Sequence, residues 1–400
     1  MENMVSIVMP AYNAERFFAR SIQSVLNQTY ANWELIIVND ESTDNTLAAA
    51  TQYANNDKRI KVTSIKHGGV SAARNKGFSL ATGEYLQFMD ADDELDIHFV
   101  EKLVGMLEKN NADMAVCRFT HPLFQSYAKD AVYDLSNRED FLTLYQECFG
   151  IVMPWNRIWR RVCFTEKYDV EVHFSEDELG NLANLHNVKK VATTSEYLYF
   201  YHISTKDNDE REDSCVNNFV NCENFWDKKV SMYYMGAMLL PKRWAIIEKA
   251  IKNGQFPIDD PEEIAYCRVI DYFFVTLPLY IGMGTPKFGM TKECRGVIDD
   301  DRFVRGFKVF EKYGFKLLKL TDKEKDELCE KYMTLCYKAY SEHGGKLDFA
   351  VYYVMNMLFL RMFAEVTGEL NPLCFHSKLI LDMQNNSTKE AIFVNGLLKE

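Results

Sequence analysis

The fold is decided by the stretch Val5-Ser-Ile-Val-Met-Pro10, an apolar run that leads into residues 15–26. A continuous run of this kind is typical of a buried strand. The segment behind it repeats apolar side chains at helical spacing, at Phe18, Ile22, Val25 and Leu26. The stretch therefore predicts one strand followed by one amphipathic helix.

The same pattern recurs further along the chain. Strand-like runs occur at residues 33–38, 60–65 and 85–89, and a helix-like segment follows each, at residues 46–53, 71–80 and 97–107. Asp44, Asn45 and Thr46 are capping residues for the first of these helices. This alternation predicts an α/β fold with a doubly wound, largely parallel sheet.

Ligands of such sheets bind beyond the carboxyl ends of the strands. The residues at those positions are 10–13, 39–44, 67–75 and 90–93. The first strand ends in Pro10-Ala-Tyr-Asn13, where a dinucleotide-binding fold would start a Gly-x-Gly-x-x-Gly turn, and no Gly-x-x-x-x-Gly-Lys loop occurs. These observations disfavour a Rossmann dehydrogenase and a phosphate-loop ATPase.

The strand ends carry carboxylates instead. Asp40 follows the second strand, and Asp90-Ala-Asp-Asp93 follows the fourth. Like charges so close together repel unless a cation neutralises them, and oxygen-rich sites suit Mg²⁺ or Mn²⁺. The alternative is a solvated turn that caps the helix beginning near Ile97.

Composition limits the classes of partner and location. The net charge of −12 argues against broad binding of nucleic acid, and it means that an anionic substrate needs a local cation. The ten cysteines include no Cys-x-x-Cys pair, and no secretory signal is apparent, so we expect a cytoplasmic protein with free thiols. The apolar residues 349–360 are too few for a membrane span. A core helix is expected there, with an interfacial membrane helix as the alternative.

Four ordered motifs resemble the family-two group of GT-A glycosyltransferases, of the type that builds bacterial surface polysaccharides. They are Ser6-Ile-Val-Met-Pro-Ala-Tyr-Asn13, Leu35-Ile-Ile-Val-Asn-Asp-Glu-Ser-Thr-Asp44, Gly68-Gly-Val-Ser-Ala-Ala-Arg-Asn75 and Gly83-Glu-Tyr-Leu-Gln-Phe-Met-Asp-Ala-Asp-Asp93. The resemblance covers about residues 4–203. It implies a GT-A type sheet, followed by a mainly helical C-terminal domain that the motifs do not cover.

The resemblance also implies a binding site for a nucleotide-sugar. Its residues are Pro10, Ala11, Tyr12, Asn13, Asp40, Arg74, Asn75, Asp90, Ala91 and Asp92. Asp40 accepts the ring N–H of the base, usually uracil, which implies a UDP-sugar donor. Arg74 lies near the pyrophosphate, with a surface helix arginine as the alternative. Asp90 contacts ribose or the donor sugar.

The same resemblance makes Asp92 the ligand of a Mn²⁺ or Mg²⁺ ion on the diphosphate. For Asp93 the resemblance implies no role beyond shaping the turn. Asn39 and Glu41 replace the Asp and Gly of many relatives.

A transferase also needs a base that removes the proton of the acceptor hydroxyl. The pair Glu176-Asp177 begins a predicted helix with Leu179, Leu182 and Leu185 near one face. It resembles the family's Glu-Asp pair, in which Asp177 is the base and Glu176 the alternative. The competing interpretation is that Ser175 caps this helix and the acids complement its dipole.

Two aromatic positions remain open. The segment Met153-Pro-Trp-Asn-Arg157 resembles a family segment that more often reads Trp-Asn-Lys, so Arg157 replaces a lysine. Trp155 either stacks on an acceptor sugar or belongs to the core. His202 either reaches the diphosphate or is an ordinary residue at a strand end.

These parts imply an inverting, metal-dependent hexosyltransferase, in which the base activates an acceptor that attacks opposite the departing nucleotide. The resemblance associates such enzymes with glycan or lipid-linked acceptors at the inner face of the cell membrane, where the protein makes peripheral contact. Two rival classes stay open: a sugar-1-phosphate nucleotidyltransferase, and a noncatalytic nucleotide-sugar-binding or scaffolding protein. The first of these is expected to have a Gly-rich basic loop after its first strand.

A change of pattern near residue 204 predicts two domains. Residues 206–213 form a dense charge run typical of a linker, and the apolar spacing beyond them is mainly helical. We therefore expect a catalytic domain at residues 1–213 and a helical domain at residues 214–400. The helical domain could shape the acceptor pocket, mediate oligomerisation or rest on a membrane surface, and the sequence leaves these alternatives open.

Overall fold

The structure is a computed structural model, and it describes residues 3–120, 128–147, 153–172, 176–202 and 240–259, together with single helical positions at 331, 335, 338 and 342. The chain divides into two compact units, residues 1–203 with 246–259, and residues 204–245 with 260–400. Ser175, the predicted linker at 206–213 and the apolar segment 349–360 lie outside the described residues. The predicted boundary at residue 213 stays a prediction.

The described elements alternate as the sequence predicts. The strands are β1 (Val5–Ala11), β2 (Trp33–Asn39), β3 (Ile60–Ser64), β4 (Tyr85–Phe88), β5 (Glu94–Leu95), β6 (Met114–Thr120), β7 (Ala131–Asp134), β8 (Arg157–Arg160) and β9 (Lys190–Phe200). The helices are α1 (Glu15–Leu26), α2 (Thr46–Asn56), α3 (Gly69–Leu80), α4 (Phe99–Asn110), α5 (Arg138–Glu147), α6 (Glu176–Leu185) and α7 (Leu240–Lys252). A 3-10 turn occupies Arg161–Cys163.

One sheet carries all nine described strands. Its order is β3-β2-β1-β4-β8-β6-β9-β5, and β7 pairs with β9 at the side. Strands β3, β2, β1 and β4 are parallel to one another, whereas β8 runs antiparallel to both β4 and β6. The predicted doubly wound, largely parallel sheet is confirmed.

The parallel strands form the centre of the core. Every residue of β1, β2 and β4 is buried, as expected for strands covered by helices on both faces. Helix α3 lies so close to the sheet that a Cβ atom on Gly77 would come within 2.3 Å of Val8 Cγ1. This contact fixes the position of Arg74, which lies three residues earlier on the same helix.

Helix α7 follows the predicted boundary at residue 213, yet residues 246–259 group with the first unit. The ring of Phe256 lies 4.9 Å from that of Phe141, and Lys249 Nζ lies 3.8 Å from Glu166 Oε1. A chain cut at residue 213 would therefore lose part of the first unit. No helix within the described residues is long and apolar enough to cross a membrane.

A buried carboxylate joins the strands at the end of the sheet opposite the ligand-binding edge. Glu34 accepts hydrogen bonds from Ser6 Oγ (2.6 Å), from the Thr82 backbone N–H (2.8 Å) and from Lys61 Nζ (2.6 Å). Burial alone would raise the pKa of Glu34, but these donors outweigh burial and lower it to about 2.

We expect Glu34→Gln to lower the free energy of unfolding by about 2–3 kcal/mol at pH 7, because the neutral amide loses the charge-assisted bonds. The carboxylate stabilises the fold above its unfolded pKa near 4.5, and this contribution disappears as the pH falls toward 2. Urea denaturation at pH 7 and at pH 3 measures both effects. The exposed Glu84 is the control, since Glu84→Gln should change stability by under about 0.5 kcal/mol. An equal loss of unfolding free energy at pH 7 and at pH 3 would contradict a stabilising role of the ionised Glu34 carboxylate.

Candidate active site

The carboxylate of Asp40 lies at the N-terminus of α3. It is buried, and its two oxygens accept the backbone N–H groups of Gly68 (2.8 Å) and Gly69 (2.9 Å). Backbone N–H groups at a helix N-terminus that have no partner within the helix are commonly paired with side-chain oxygens, and Asp40 does this at the start of α3. Each carboxylate oxygen has a second lone pair. Asp40 therefore keeps the capacity to accept a ring N–H, and its predicted contact with the base stays a prediction.

Two aromatic rings lie beside Asp40. Tyr12 is 41% exposed, and its ring centroid lies 4.5 Å from that of His67. His67 Nδ1 also lies 3.0 Å from Asp40 Oδ2. The sequence marked residues 67–75 as a strand end without singling out His67, because nothing local to that residue indicates that its ring reaches Tyr12.

Two residues of this edge adopt left-handed backbone conformations. Asn13 has φ 46° and Glu41 has φ 60°. Asn13 ties its loop to the next one, since its Oδ1 accepts the Thr43 N–H at 2.8 Å. Glu41 stands where the family resemblance implies glycine, the residue that this conformation favours. Its carboxylate instead accepts the His67 N–H at 3.0 Å, which gives the larger side chain a stabilising contact.

Arg74 connects two acidic segments that are far apart in the sequence. Its side chain is buried, with Nη2 3.1 Å from Asp90 Oδ1 and Nη1 3.0 Å from Glu176 Oε1. Burial opposes the charged form, but Asp90 and Glu176 outweigh it and raise the pKa of Arg74 above its usual value. The alternative of a surface helix arginine is wrong. The predicted role of Arg74 toward the pyrophosphate stays a prediction.

Asp93 fixes the acidic loop to β9. It is fully buried, and its carboxylate accepts the Tyr199 hydroxyl (2.6 Å) and the His202 backbone N–H (2.9 Å). Burial, reinforced by Asp92 and Asp90, raises the pKa of Asp93 well above its usual range. Asp93 therefore anchors the loop.

The acidic loop is where the motifs imply a metal ion. Among the described residues, no group of three His, Cys, Asp or Glu side chains is arranged to hold an ion by itself. Mg²⁺ and ions like it are commonly held by one or two carboxylates together with substrate phosphates, so a single ligand from this loop fits. Asp90 already pairs with Arg74, and the partly exposed Asp92 follows it by two residues.

Helix α6 begins at the predicted acidic pair, and the three predicted leucines on its face are buried. Burial and the neighbouring Glu176 raise the pKa of Asp177 to about 8, although Arg74 acts in the opposite direction. Asp177 Oδ1 accepts the Glu178 N–H at 2.7 Å, whereas Glu176 is in the ion pair with Arg74. The pKa of Asp177 thus lies where a general base works best.

Other predicted site residues have clear structural contacts. Trp155 is 3% exposed and stacks on Tyr199 with centroids 4.4 Å apart, so the structure shows the core alternative for this ring. His202 Nε2 lies 2.8 Å from Glu94 Oε1. Pro10 and Ala11 are buried at the end of β1, and Ala91 is buried in the acidic loop.

Asparagines hold the segment between the 3-10 turn and α6. Asn75 accepts the Tyr168 N–H and donates to the Tyr168 carbonyl, both at 2.8 Å. Asn184 accepts the N–H groups of Thr165 (2.6 Å) and Glu166 (2.8 Å) and donates to the Glu166 carbonyl. Asn75 was predicted to bind the nucleotide-sugar. Both of its polar atoms bind backbone groups of this segment, and its predicted contact with the nucleotide-sugar stays a prediction.

Comparison with known proteins identifies the class. A family model described as "Glycosyl transferase family 2" matches residues 6–156. The chain is 33% identical over 220 residues to the glycosyltransferase GlyG of Streptococcus pneumoniae. The aligned region covers 50% of this chain and 71% of GlyG. The chain belongs to glycosyltransferase family 2.

Other relatives match shorter parts. EpsJ of Bacillus subtilis, an uncharacterized glycosyltransferase, is 32% identical over 209 residues, covering 50% of this chain and 60% of EpsJ. The glucosyltransferase WfgD of Escherichia coli is 42% identical over 109 residues, covering 27% of this chain and 42% of WfgD. The chain thus spans less than two thirds of the length of either protein.

Solved structures share the fold. TarS 1–349 of S. aureus in complex with UDP-GlcNAc has a TM-score of 0.53 at 14% identity, covering 90% of this chain and 92% of that chain. The complex of TarS 1–349 with UDP has a TM-score of 0.51 at 17% identity, covering 78% of this chain and 92% of that chain. The expected GT-A type fold is confirmed.

Proposed function

We propose that this protein is an inverting glycosyltransferase that moves a sugar from a UDP-sugar to a hydroxyl of a glycan or lipid-linked acceptor. The observation that carries the proposal is the contact of Arg74 with both Asp90 and Glu176, because it joins the acidic loop to the helix that holds Asp177. In this proposal, the acidic loop binds the donor and the neighbouring start of α6 supplies the base.

The names of similar proteins support the donor and acceptor classes. TarS was solved with UDP and with UDP-GlcNAc. WfgD is named a UDP-Glc:alpha-D-GlcNAc-diphosphoundecaprenol beta-1,3-glucosyltransferase, and a further relative, GgaB of Bacillus subtilis, a minor teichoic acid biosynthesis protein. We infer a role in surface polysaccharide biosynthesis, with acceptors presented at the inner face of the cell membrane.

The proposed mechanism assigns one task to each group. Tyr12 and Asp40 bind the uracil base, and Asp90 binds the ribose or donor sugar. Asp92 would hold Mn²⁺ or Mg²⁺, which would supply positive charge to offset that of the diphosphate. Arg74 adds a fixed positive charge next to Asp90 and so stabilises the departing nucleotide.

Asp177 takes the proton of the acceptor hydroxyl as that oxygen attacks the anomeric carbon from the face opposite the departing UDP. The carbon–oxygen bond to the acceptor forms as the bond to the diphosphate oxygen breaks, and the configuration at the carbon inverts. Glu176 holds Arg74 in place. The proposal assigns the chemistry to the domain at residues 1–213. The helical domain at residues 214–400 would shape the acceptor pocket, mediate oligomerisation or rest on a membrane surface.

We expect UDP to bind at least about tenfold more tightly with Mn²⁺ than with a chelator, because Asp90 and Asp92 repel a diphosphate that lacks a cation. Calorimetric titration of the full chain measures this difference. GDP and dTDP are the matched ligands, and both should bind more weakly than UDP. Equal affinity for UDP in chelator would remove the metal from the proposal, and tighter binding of GDP would remove the uracil contact at Asp40.

A noncatalytic nucleotide-sugar-binding protein would pass that test. The two functions differ in turnover, because only a transferase releases UDP from a UDP-sugar, slowly to water when no acceptor is present. Purified protein with Mn²⁺ and a panel of UDP-sugars tests this directly. We expect UDP release from at least one donor, and release from none would contradict the proposed activity.

A further inference from the structure

Arg20 of α1 contacts both the acidic loop, residues 90–93, and the strand that follows it. Its Nη2 donates a hydrogen bond to the backbone carbonyl of Asp92 at 2.7 Å, and its Nε lies 3.0 Å from Glu94 Oε1. A guanidinium group presents its N–H donors in a rigid fork. The two contacts, on either side of Asp93 in the sequence, therefore fix Arg20 and the loop against each other.

The peptide group that joins Asp92 to Asp93 is bonded through both of its polar atoms. Its N–H, which belongs to Asp93, donates to the Asp90 carbonyl at 3.3 Å, and its carbonyl, which belongs to Asp92, accepts Arg20. A peptide group is planar and rigid, so two bonds on opposite sides fix the orientation of its plane. The backbone of Asp92 is thereby held at the point where its side chain leaves the chain.

The two ends of the loop are held by other contacts. The side chain of Asp90 pairs with Arg74, and that of Asp93 accepts the buried Tyr199 hydroxyl. Arg20 acts on the position between them. Its own anchor is firm, because Glu94 belongs to β5 and is paired with Phe200 of β9.

We propose that Arg20 is a positioning residue for the metal ligand, and that its two bonds hold the backbone of Asp92 so that the carboxylate keeps the orientation an ion needs. This inference rests on the proposed function, in which Asp92 holds Mn²⁺ or Mg²⁺. Arg20 itself touches neither the ion nor the donor. Residues that orient a metal ligand from outside commonly change metal affinity by about tenfold or more when they are removed.

The charge of Arg20 gives the inference a definite sign. A positive charge near a cation repels it, so a purely electrostatic role predicts that loss of Arg20 tightens metal binding. Loss of the hold on Asp92 predicts the opposite, weaker metal binding. The side chains of Arg20 and Glu94 are 39% and 31% exposed, so their ion pair contributes little to stability and variants at Arg20 should fold.

The experiment is calorimetric titration of Mn²⁺ into the full chain with excess UDP, for the wild type and for Arg20→Gln. We expect the apparent Kd for Mn²⁺ to rise by about five- to tenfold. Affinity for UDP in a chelator should stay within about twofold, because Arg20 does not touch the donor. Arg20→Lys keeps the charge but lacks the fork, so it should weaken Mn²⁺ binding by at least about threefold.

The matched control is Arg16→Gln. Arg16 is exposed on the same helix, and its guanidinium carbon lies 5.8 Å from the Phe17 ring centroid, where that of Arg20 lies 5.6 Å away. This variant loses the same charge and should bind Mn²⁺ within about twofold of the wild type. Unchanged or tighter Mn²⁺ binding by Arg20→Gln, or wild-type affinity in Arg20→Lys, overturns the inference. The proposed function fails in a different way, since the wild type itself would then bind UDP equally with Mn²⁺ and with a chelator, or release no UDP from any donor.

Discussion

Asp177→Asn is expected to lower sugar transfer by about 10²–10⁴-fold, the usual contribution of a general base, while affinity for UDP stays unchanged. The amide is nearly isosteric with the carboxyl group and cannot take a proton. Because the pKa of Asp177 is raised to about 8, ionisation of this carboxyl group should limit transfer at lower pH. Wild-type transfer should therefore increase as the pH rises through about 8, and the variant should lose this dependence. Initial rates from pH 6 to 9 measure both effects.

Glu176→Gln is the matched control for the adjacent acid. It weakens the contact with Arg74 without removing the proposed base, so it should reduce transfer less than Asp177→Asn does. If Asp177→Asn kept most of its rate while Glu176→Gln lost it, the base would be Glu176. If neither change mattered, the pair would only complement the helix dipole of α6, and the base would lie elsewhere in the crevice.

Asp92→Asn is expected to abolish measurable transfer and to remove most of the metal dependence of UDP binding. An amide is a weaker ligand for Mg²⁺ or Mn²⁺ than a carboxylate is, so the diphosphate would lose the cation that offsets its charge. Calorimetry with UDP and Mn²⁺, alongside transfer rates, separates this failure from that of Asp177→Asn, which keeps donor affinity.

Asp134→Asn controls for the loss of one negative charge, since Asp134 lies exposed at the end of β7. It should leave UDP binding and transfer at wild-type levels. Metal-dependent UDP binding by Asp92→Asn that matched the wild type would place the metal ligand on another residue.

The sequence predicted the parts of the fold that local patterns determine. Helix α1 has the predicted bounds because its apolar spacing is unbroken, and β1 and β2 appear as continuous apolar runs because both faces of the sheet are covered. Helix α3 begins at Gly69, earlier than predicted, because a glycine with φ 81° starts it and no apolar pattern marks that turn.

The contacts of the site were harder to predict because they join distant segments. Arg74 and Glu176 are 102 positions apart, and Asp93 and His202 are 109 apart. Each motif indicated a residue type suited to the chemistry but not its partner. Trp155 shows the same limit, since composition cannot tell whether a tryptophan at a strand end faces a ligand or packs on Tyr199.

The hold of Asn75 and Asn184 on the segment before α6 has a consequence for how this region varies in evolution. Both asparagines hold the segment through backbone groups of Thr165, Glu166 and Tyr168, and these groups are the same for every amino acid except proline. A substitution at position 165 or 166 thus keeps these backbone bonds and loses only a side-chain contact, that of Thr165 Oγ1 with Asn187 or that of Glu166 with Lys249. The two asparagines, which lie outside the segment they hold, should change far less.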